Sequence, residues 1–195
     1  MEKSKTKLGV DHPSTLISIA NLASTYRNQG QWKEAEKLGV QVMETRKTKF
    51  GVDHPSTLSS MGNLASIYRN QGQWPEAEKL EVQVLEASKN KLGADHPDTL
   101  TSMVNLASIY RNQDRWEEAE ELEVEVMETR KTKLGADHPD TLTSMANLAF
   151  TWKSQGRHPD ALVLMENCAQ ARQRVLSDEH QYTLSSLATV AKWSS

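Results

Sequence analysis

Asp11-His12-Pro13, Asp53-His54-Pro55, Asp95-His96-Pro97 and Asp137-His138-Pro139 recur at a spacing of 42 residues, and Glu179-His180-Gln181 is a worn fifth copy. Residues 11–52 and 53–94 agree at 30 of 42 positions, far beyond chance. A period of this length marks stacked supersecondary units, each too small to bury its own apolar face. Any fold open to the chain must therefore be an array.

One unit reads as two helices. From Pro55 to Asn70 the apolar or small residues Leu58, Met61, Gly62, Leu64, Ala65, Ile67 and Tyr68 fall three and four apart, one stripe on a helix A. Pro55 marks its start, because proline is tolerated at the first helical position and pushes His54 out of helical geometry. Asp53 is expected to accept from the first N–H groups, and Asp98 and Asp140 place negative charge beside the same end of later copies. Gln71-Gly72-Gln73 interrupts the pattern. Helix B starts near Trp74, as Pro75 and Pro159 attest, and carries the stripe through Ala77, Leu80, Val84 and Leu85. It stops at Leu92-Gly93, a left-handed glycine stop with Pro97 beyond.

The spacing predicts hairpins of roughly 13–28 with 32–49, 55–70 with 74–91, 97–112 with 116–133, and 139–154 with 158–175, then a lone helix from Tyr182 to about Lys192. Residues 1–10 align as the tail of a preceding helix B, so the chain is expected to start in mid-unit. The last unit decays: Phe150, Trp152, Lys153, His158 and Ser177 depart from the pattern, Thr189 replaces the asparagine, and terminal repeats are expected to be atypical. This end reads as a true C-terminus. The whole of 1–195 is read as one repeat domain with units 11–52, 53–94, 95–136 and 137–178 and a capping helix in 179–195.

Composition excludes several classes. No run of 18 apolar residues exists and Met1-Glu2-Lys3-Ser4-Lys5 opens no secretion signal, which argues against membrane insertion and export. Cys168 is the single cysteine, so no internal disulfide forms; it is read as a packed core thiol in a reducing, cytoplasmic setting. A net charge of −3 gives no reason to expect nucleic acid. Equivalent positions in stacked hairpins lie about 8–10 Å apart, against metal–ligand bonds of about 2 Å, so His12, His54, His96, His138 and His180 cannot share a metal. No phosphate loop, nucleophile elbow or metal motif occurs, and neither enzyme activity nor a cofactor is expected. Glu117, Glu118, Glu120, Glu121, Glu123, Glu125 and Glu128 read mostly as a solvated face of helix B, the alternative being an acidic docking site.

Leu64, Ala65, Tyr68, Gly72, Trp74 and Ala77 give the hairpin the pattern of a tetratricopeptide repeat, which it resembles. The 42-residue form, with His-Pro-x-Thr-Leu, Asn-Leu-Ala, Tyr-Arg-x-Gln-Gly and Glu-Ala-Glu, is similar to the repeats of kinesin light chains. Closer still is the C-terminal array of fungal NLR-like (NB-ARC/TPR) proteins, with Asn-Leu-Ala-Ser-x-Tyr-Arg-Asn-Gln-Gly-x-Trp and Val-Met-Glu-Thr-Arg-Lys. The resemblance implies an all-α, right-handed α-solenoid of four hairpins plus a capping helix, with Trp32, Trp74 and Trp116 as core aromatics. It also implies a large side chain four residues after the helix B alanine. Here those positions are Gly39, Glu81, Glu123 and Met165, so helix B is expected to rotate slightly, bringing Val40, Val82 and Val124 into the seam and leaving Glu81 and Glu123 at its edge, paired or partly wet, since a buried unpaired carboxylate is costly.

A second line on helix A carries Asn21, Asn63, Asn105 and Asn147, with Arg27, Arg69, Arg111 and Lys153 two turns later and Ser24, Ser66 and Ser108 between. Adjacent residues on a helix differ by about 100° in direction, so a buried Leu64 leaves Asn63 on the flank. The asparagine position resembles that by which kinesin light chain repeats hold an extended peptide; a carboxamide matches a peptide bond in offering donor and acceptor. Guanidinium groups alongside would favour acidic side chains. Alternatively, the asparagines tie helices together and the arginines pair with neighbouring glutamates. The resemblance implies a module whose concave face binds a protein or extended peptide, possible partners including acidic ones, as the sensor or scaffold arm of a fungal NLR-like receptor. The alternatives are an array that self-assembles end to end and a kinesin-light-chain-like cargo adaptor.

Overall fold

The computed structural model describes residue 9 and residues 11–194; the helix tail expected in 1–10 falls almost wholly outside the described residues. Among them lie nine helices and no strand: α1 (Pro13–Asn28), α2 (Trp32–Phe50), α3 (Pro55–Asn70), α4 (Trp74–Leu92), α5 (Pro97–Asn112), α6 (Trp116–Leu134), α7 (Pro139–Ser154), α8 (His158–Leu176) and α9 (Gln181–Ser194). This is the all-α array of four hairpins and a C-terminal helix that the period demands, with each helix B one residue longer than expected. The chain forms two compact units, one ending at Ser102 and the other starting at Met103. No described helix is long and apolar enough to cross a membrane.

In the first unit α2, α3 and α4 share a core of Ala35, Met43, Met61, Leu64, Ile67 and Val84. In the second, Leu142, Ala146, Ala149, Met165, Cys168 and Ala171 join α7 to α8, and Val190 and Trp193 of α9 pack on them. Ala65 and Ala77 have no exposed surface, nor have Ala119, Ala149 and Ala161. Cys168 is buried and its Sγ lies 3.1 Å from the Leu142 carbonyl, the packed thiol anticipated; burial raises its pKa and nearby Arg172 opposes this.

The start of helix A departs from expectation. The cap is the histidine, not the aspartate: Nδ1 of His12, His54, His96, His138 and His180 accepts the N–H two residues on, at 3.1–3.2 Å. His12, His54 and His138 stand in extended backbone, each with a proline following that disfavours helical geometry, while His180 caps in the same way before Gln181. Trp32, Trp74 and Trp116 are half-buried, lying at the hairpin turn instead of in the core, and Tyr68 and Tyr110 are half-buried too.

At the end of helix B, Gly51, Gly93 and Gly135 have φ of 91°, 95° and 100° with ψ near 160°. The chain leaves each helix in the mirror-extended region, not in the left-handed helical one. Ser177 takes the same conformation, φ 86° and ψ 163°, which only glycine adopts without strain.

Glu81 and Glu123, at 2% and 3% exposure, are buried, while Val82 is half-buried and Val124 is exposed. Val40 packs on the core of the first unit as expected, and the two glutamates are paired as expected, but inside the fold and not at the edge of the seam.

Ala65→Leu, forcing three more carbons into a site with no exposed surface, is expected to lower stability by about 1–3 kcal/mol in thermal or denaturant unfolding. Ser177→Gly, relieving strain at some cost in chain entropy, is expected to raise it by about 1 kcal/mol.

Candidate functional site

The asparagine–cation line of helix A is where sequence places a binding surface. Asn21 and Asn63 are exposed beside half-buried Leu22 and buried Leu64, and Asn105 and Asn147 are half-buried beside buried Leu106 and Leu148. Arg27, Arg69, Arg111 and Lys153 are all half-buried.

The cations have different surroundings. Arg27 Nη1 donates to Ser66 Oγ at 3.1 Å, joining α1 to α3, and Nη2 lies 3.5 Å from Asn28 Oδ1. Arg27 and Asn63 stand together with Ser24, Ser60, Gly39 and Ile67 around a cleft of about 20 Å³. Arg69 is engaged within the fold. Arg111 Nη1 lies 3.6 Å from Glu123 Oε1, and Thr151 Oγ1 donates to Glu123 Oε2 at 2.6 Å. Lys153 Nζ stands 5.5 Å over the Trp193 ring. In the second unit, then, the cations of this line brace the repeats as well as border the surface.

Burial raises the Glu123 carboxyl above its ordinary value, the Thr151 hydroxyl and Arg111 partly offsetting this. Glu120 goes the other way. Burial alone would raise it, but hydrogen bonds from Gln155, Trp152 and Arg157, at 2.8, 2.7 and 2.7 Å, outweigh burial and hold it low. Neither residue belongs to a solvated face, although Glu117, Glu118, Glu121, Glu125 and Glu128 are exposed.

The residues that fix one hairpin on the next carry a signal visible only when repeats are compared. Arg46 Nη1 reaches Ser60 Oγ at 2.8 Å and the Ser56 carbonyl at 3.0 Å. Arg130 does the same to Ser144 and Asp140, and Arg172 to Ser186 and Tyr182, always with fourteen residues between arginine and serine. Gln71 donates to Glu36 as Gln155 does to Glu120, thirty-five residues apart. Lys49 and Lys91 each cover the carbonyl of the aspartate that opens their own repeat, Asp11 and Asp53.

A group whose pKa rises on folding holds more protons in the folded state, so the folded state loses stability as pH climbs through its folded pKa. Glu123→Gln, an isostere that still accepts from Thr151, is therefore expected to be at least as stable as the parent at neutral pH. Its advantage should vanish once pH falls below the pKa of an unfolded glutamate, as denaturant titrations at several pH values would record.

Three segments of the chain, 14–90, 63–132 and 98–162, match the family described as tetratricopeptide repeat. Among solved structures, the nearly identical TPR-like repeats of a Podosopora anserina protein described as a kinesin light chain are 33% identical, with TM-score 0.82, over 93% of this chain and 86% of that one. BtubC (BKLC) from P. vanneervenii superposes with TM-score 0.77 at 20% identity, over 99% of this chain and 78% of that one. The apo form of RapI does so with TM-score 0.81 at 13%, over 100% and 68%. These last two likenesses concern the fold alone. Comparison with curated proteins by sequence finds no match. The family match covers well over half of the residues and coincides with the hairpins, so the chain belongs to the tetratricopeptide repeat family.

Proposed function

We propose that the chain is a peptide-binding module whose helix A surfaces hold an extended segment of a protein partner through the Asn21, Asn63, Asn105 and Asn147 carboxamides. The observation that carries this is the alternation on α1 and α3. The leucines turn into the fold and Asn21 and Asn63, their neighbours, stand exposed. Carboxamides about 8–10 Å apart within a unit can pair with peptide groups two or three residues apart along an extended segment, and so read the backbone of a ligand, not its sequence. Arg27, Arg69, Arg111 and Lys153 then bias the choice toward acidic segments.

The tetratricopeptide repeat is a protein-interaction scaffold, and membership of that family supports a binding role. The motifs shared with fungal NLR-like proteins support placing the module as the sensor or scaffold arm of such a receptor in the cytoplasm, while the 33% identity to a Podosopora anserina repeat protein supports the repeat type. In a kinesin-light-chain-like adaptor the same surface would hold cargo.

A second reading, end-to-end self-association, rests on α9. Leu184 is 54% exposed there, whereas Leu142, its equivalent on α7, is 1% exposed. Light scattering that rises with concentration and reverts in Leu184→Glu would favour it.

The test of the first reading is selection of ligands from a random peptide library on the intact chain. Asn21→Ala combined with Asn63→Ala is expected to weaken the selected peptides about tenfold or more, at about 0.5–1.5 kcal/mol per lost hydrogen bond, with helicity and melting unchanged. Undiminished binding by the double variant would refute it.

A further inference from the structure

A pocket of about 270 Å³ lies within the second compact unit, between α6, the start of α7 and α8, and no residue of the asparagine–cation line borders it. Met127, Leu142, Met145 and Leu164 give it an apolar lining, and exposed Lys131, Asp137, Gln170 and Arg174 stand around them. Two features separate this place from its equivalents. Met43 and Met61, which hold the positions of Met127 and Met145 in the first compact unit, are buried, at 9% and 2% exposure; Met127 and Met145 are half-buried. The apolar surface covered there is open here. The rim changes as well. Gln170 replaces the Glu44, Glu86 and Glu128 of the other repeats, and Arg174 replaces Thr48, Asn90 and Thr132, so these two positions together are two charges more positive than in any other repeat.

Arg174 Nη2 lies 3.1 Å from Asp137 Oδ1, and Lys131 Nζ lies 3.5 Å from Glu128 Oε1. Both pairs are solvent-exposed and contribute little, so neither holds its cation against a stronger partner. Arg174 keeps further N–H groups that have no partner among the described residues, and a carboxylate is the acceptor they fit.

An apolar lining with a few charged groups at the rim selects a ligand that has both characters. Size narrows the choice. At about 30 Å³ for each water of the liquid, the pocket has room for roughly nine heavy atoms, against the cavity of about 150 Å³ that benzene fills. It is larger than one apolar side chain needs and smaller than the clefts of about 300–1,000 Å³ that take drug-sized molecules. Methionine and leucine line it, with no aromatic ring among the described residues, and flexible thioethers follow a bending chain better than they frame a flat one.

We infer that this pocket binds a small free monocarboxylate with an aliphatic body of about eight carbons, the chain lying on Met127, Leu142, Met145 and Leu164 and the carboxylate on Arg174, with Lys131 beside it. This site is separate from the peptide surface of helix A and does not depend on it.

Octanoate, octanamide and butyrate, titrated at neutral pH into the intact chain carrying isotope-labelled methionine methyls, test the assignment. Octanoate is expected to saturate, shifting the Met127 and Met145 methyls, and to bind about tenfold tighter than octanamide, which keeps the body and lacks the charge. Butyrate, with the charge but half the chain, is expected to be weaker than octanoate by about tenfold or more. Gln170→Glu combined with Arg174→Thr restores what the preceding repeat carries as Glu128 and Thr132, at exposed positions, and is expected to bring octanoate down to the affinity of octanamide with helicity unchanged. Should the pair unfold the chain, Arg174→Gln alone must give the same loss. Equal affinity for octanoate and octanamide overturns the inference, as do shifts centred on Met43 and Met61 or an affinity that survives the substitutions. A nonapeptide of glycine and serine ending in leucine with a free carboxylate is the remaining arm: if it shifts the same methyls and binds tighter than octanoate, the occupant is a chain terminus and the inference falls. Asn21→Ala with Asn63→Ala must leave octanoate binding as it was, so the pocket and the peptide surface fail or stand separately.

Discussion

Alanine at the place where two helices cross sets how closely a hairpin can close. Ala65 and Ala77, Ala107 and Ala119, and Ala149 and Ala161 are all buried to within 1% of completely. Protein interiors are packed like crystals, so this closeness propagates. It sets how deeply Leu64 and Ile67, or Leu148 and Met165, interdigitate with the adjoining helix, and it brings polar side chains near enough to bond across it.

Those polar bonds account for much of the repeated sequence that hydrophobic periodicity leaves unexplained. The threonine of each His-Pro-x-Thr-Leu turns inward: Thr57, Thr99 and Thr141 donate to the carbonyls of Gly51, Gly93 and Gly135, capping the end of one helix B from the start of the next helix A. The histidine caps that next helix in turn. At Thr183, where Ser177 replaces glycine, the hydroxyl has no partner among the described residues. Turn, cap and helix stop thus form one unit of hydrogen bonding in the three central junctions, and His180 keeps its cap after Ser177 where Thr183 has lost its bond.

Against this uniform scaffold, position 39 and its equivalents vary. Glycine, two glutamates and a methionine occupy one seam position, and each choice changes what the helix A cation twelve residues earlier must do. Buried charge demands a partner, so Glu123 draws Arg111 and Thr151 to itself. An array of near-identical units can in this way acquire a distinct site in one unit without altering its framework.

The 42-residue period, the helix stripes and the proline and glycine punctuation determined the all-α hairpin array and its boundaries almost to the residue, because they act locally and are repeated four times over. Sequence also marked Asn21 and Asn63 as flank residues, since the inward stripe of leucine, alanine and tyrosine on helix A leaves the asparagine to one side of it. Tertiary structure decided what depends on distance between segments: that the imidazole and not Asp53 caps the helix, that Glu81 and Glu123 lie inside the seam, and that Arg111 meets a carboxylate while Arg27 meets hydroxyl and amide oxygens. Periodicity gives the direction in which a side chain leaves its own helix. Whether a charge there meets water, a hydroxyl or an opposite charge is set by the neighbouring helix, and a difference of one side chain at position 39 is enough to change the answer.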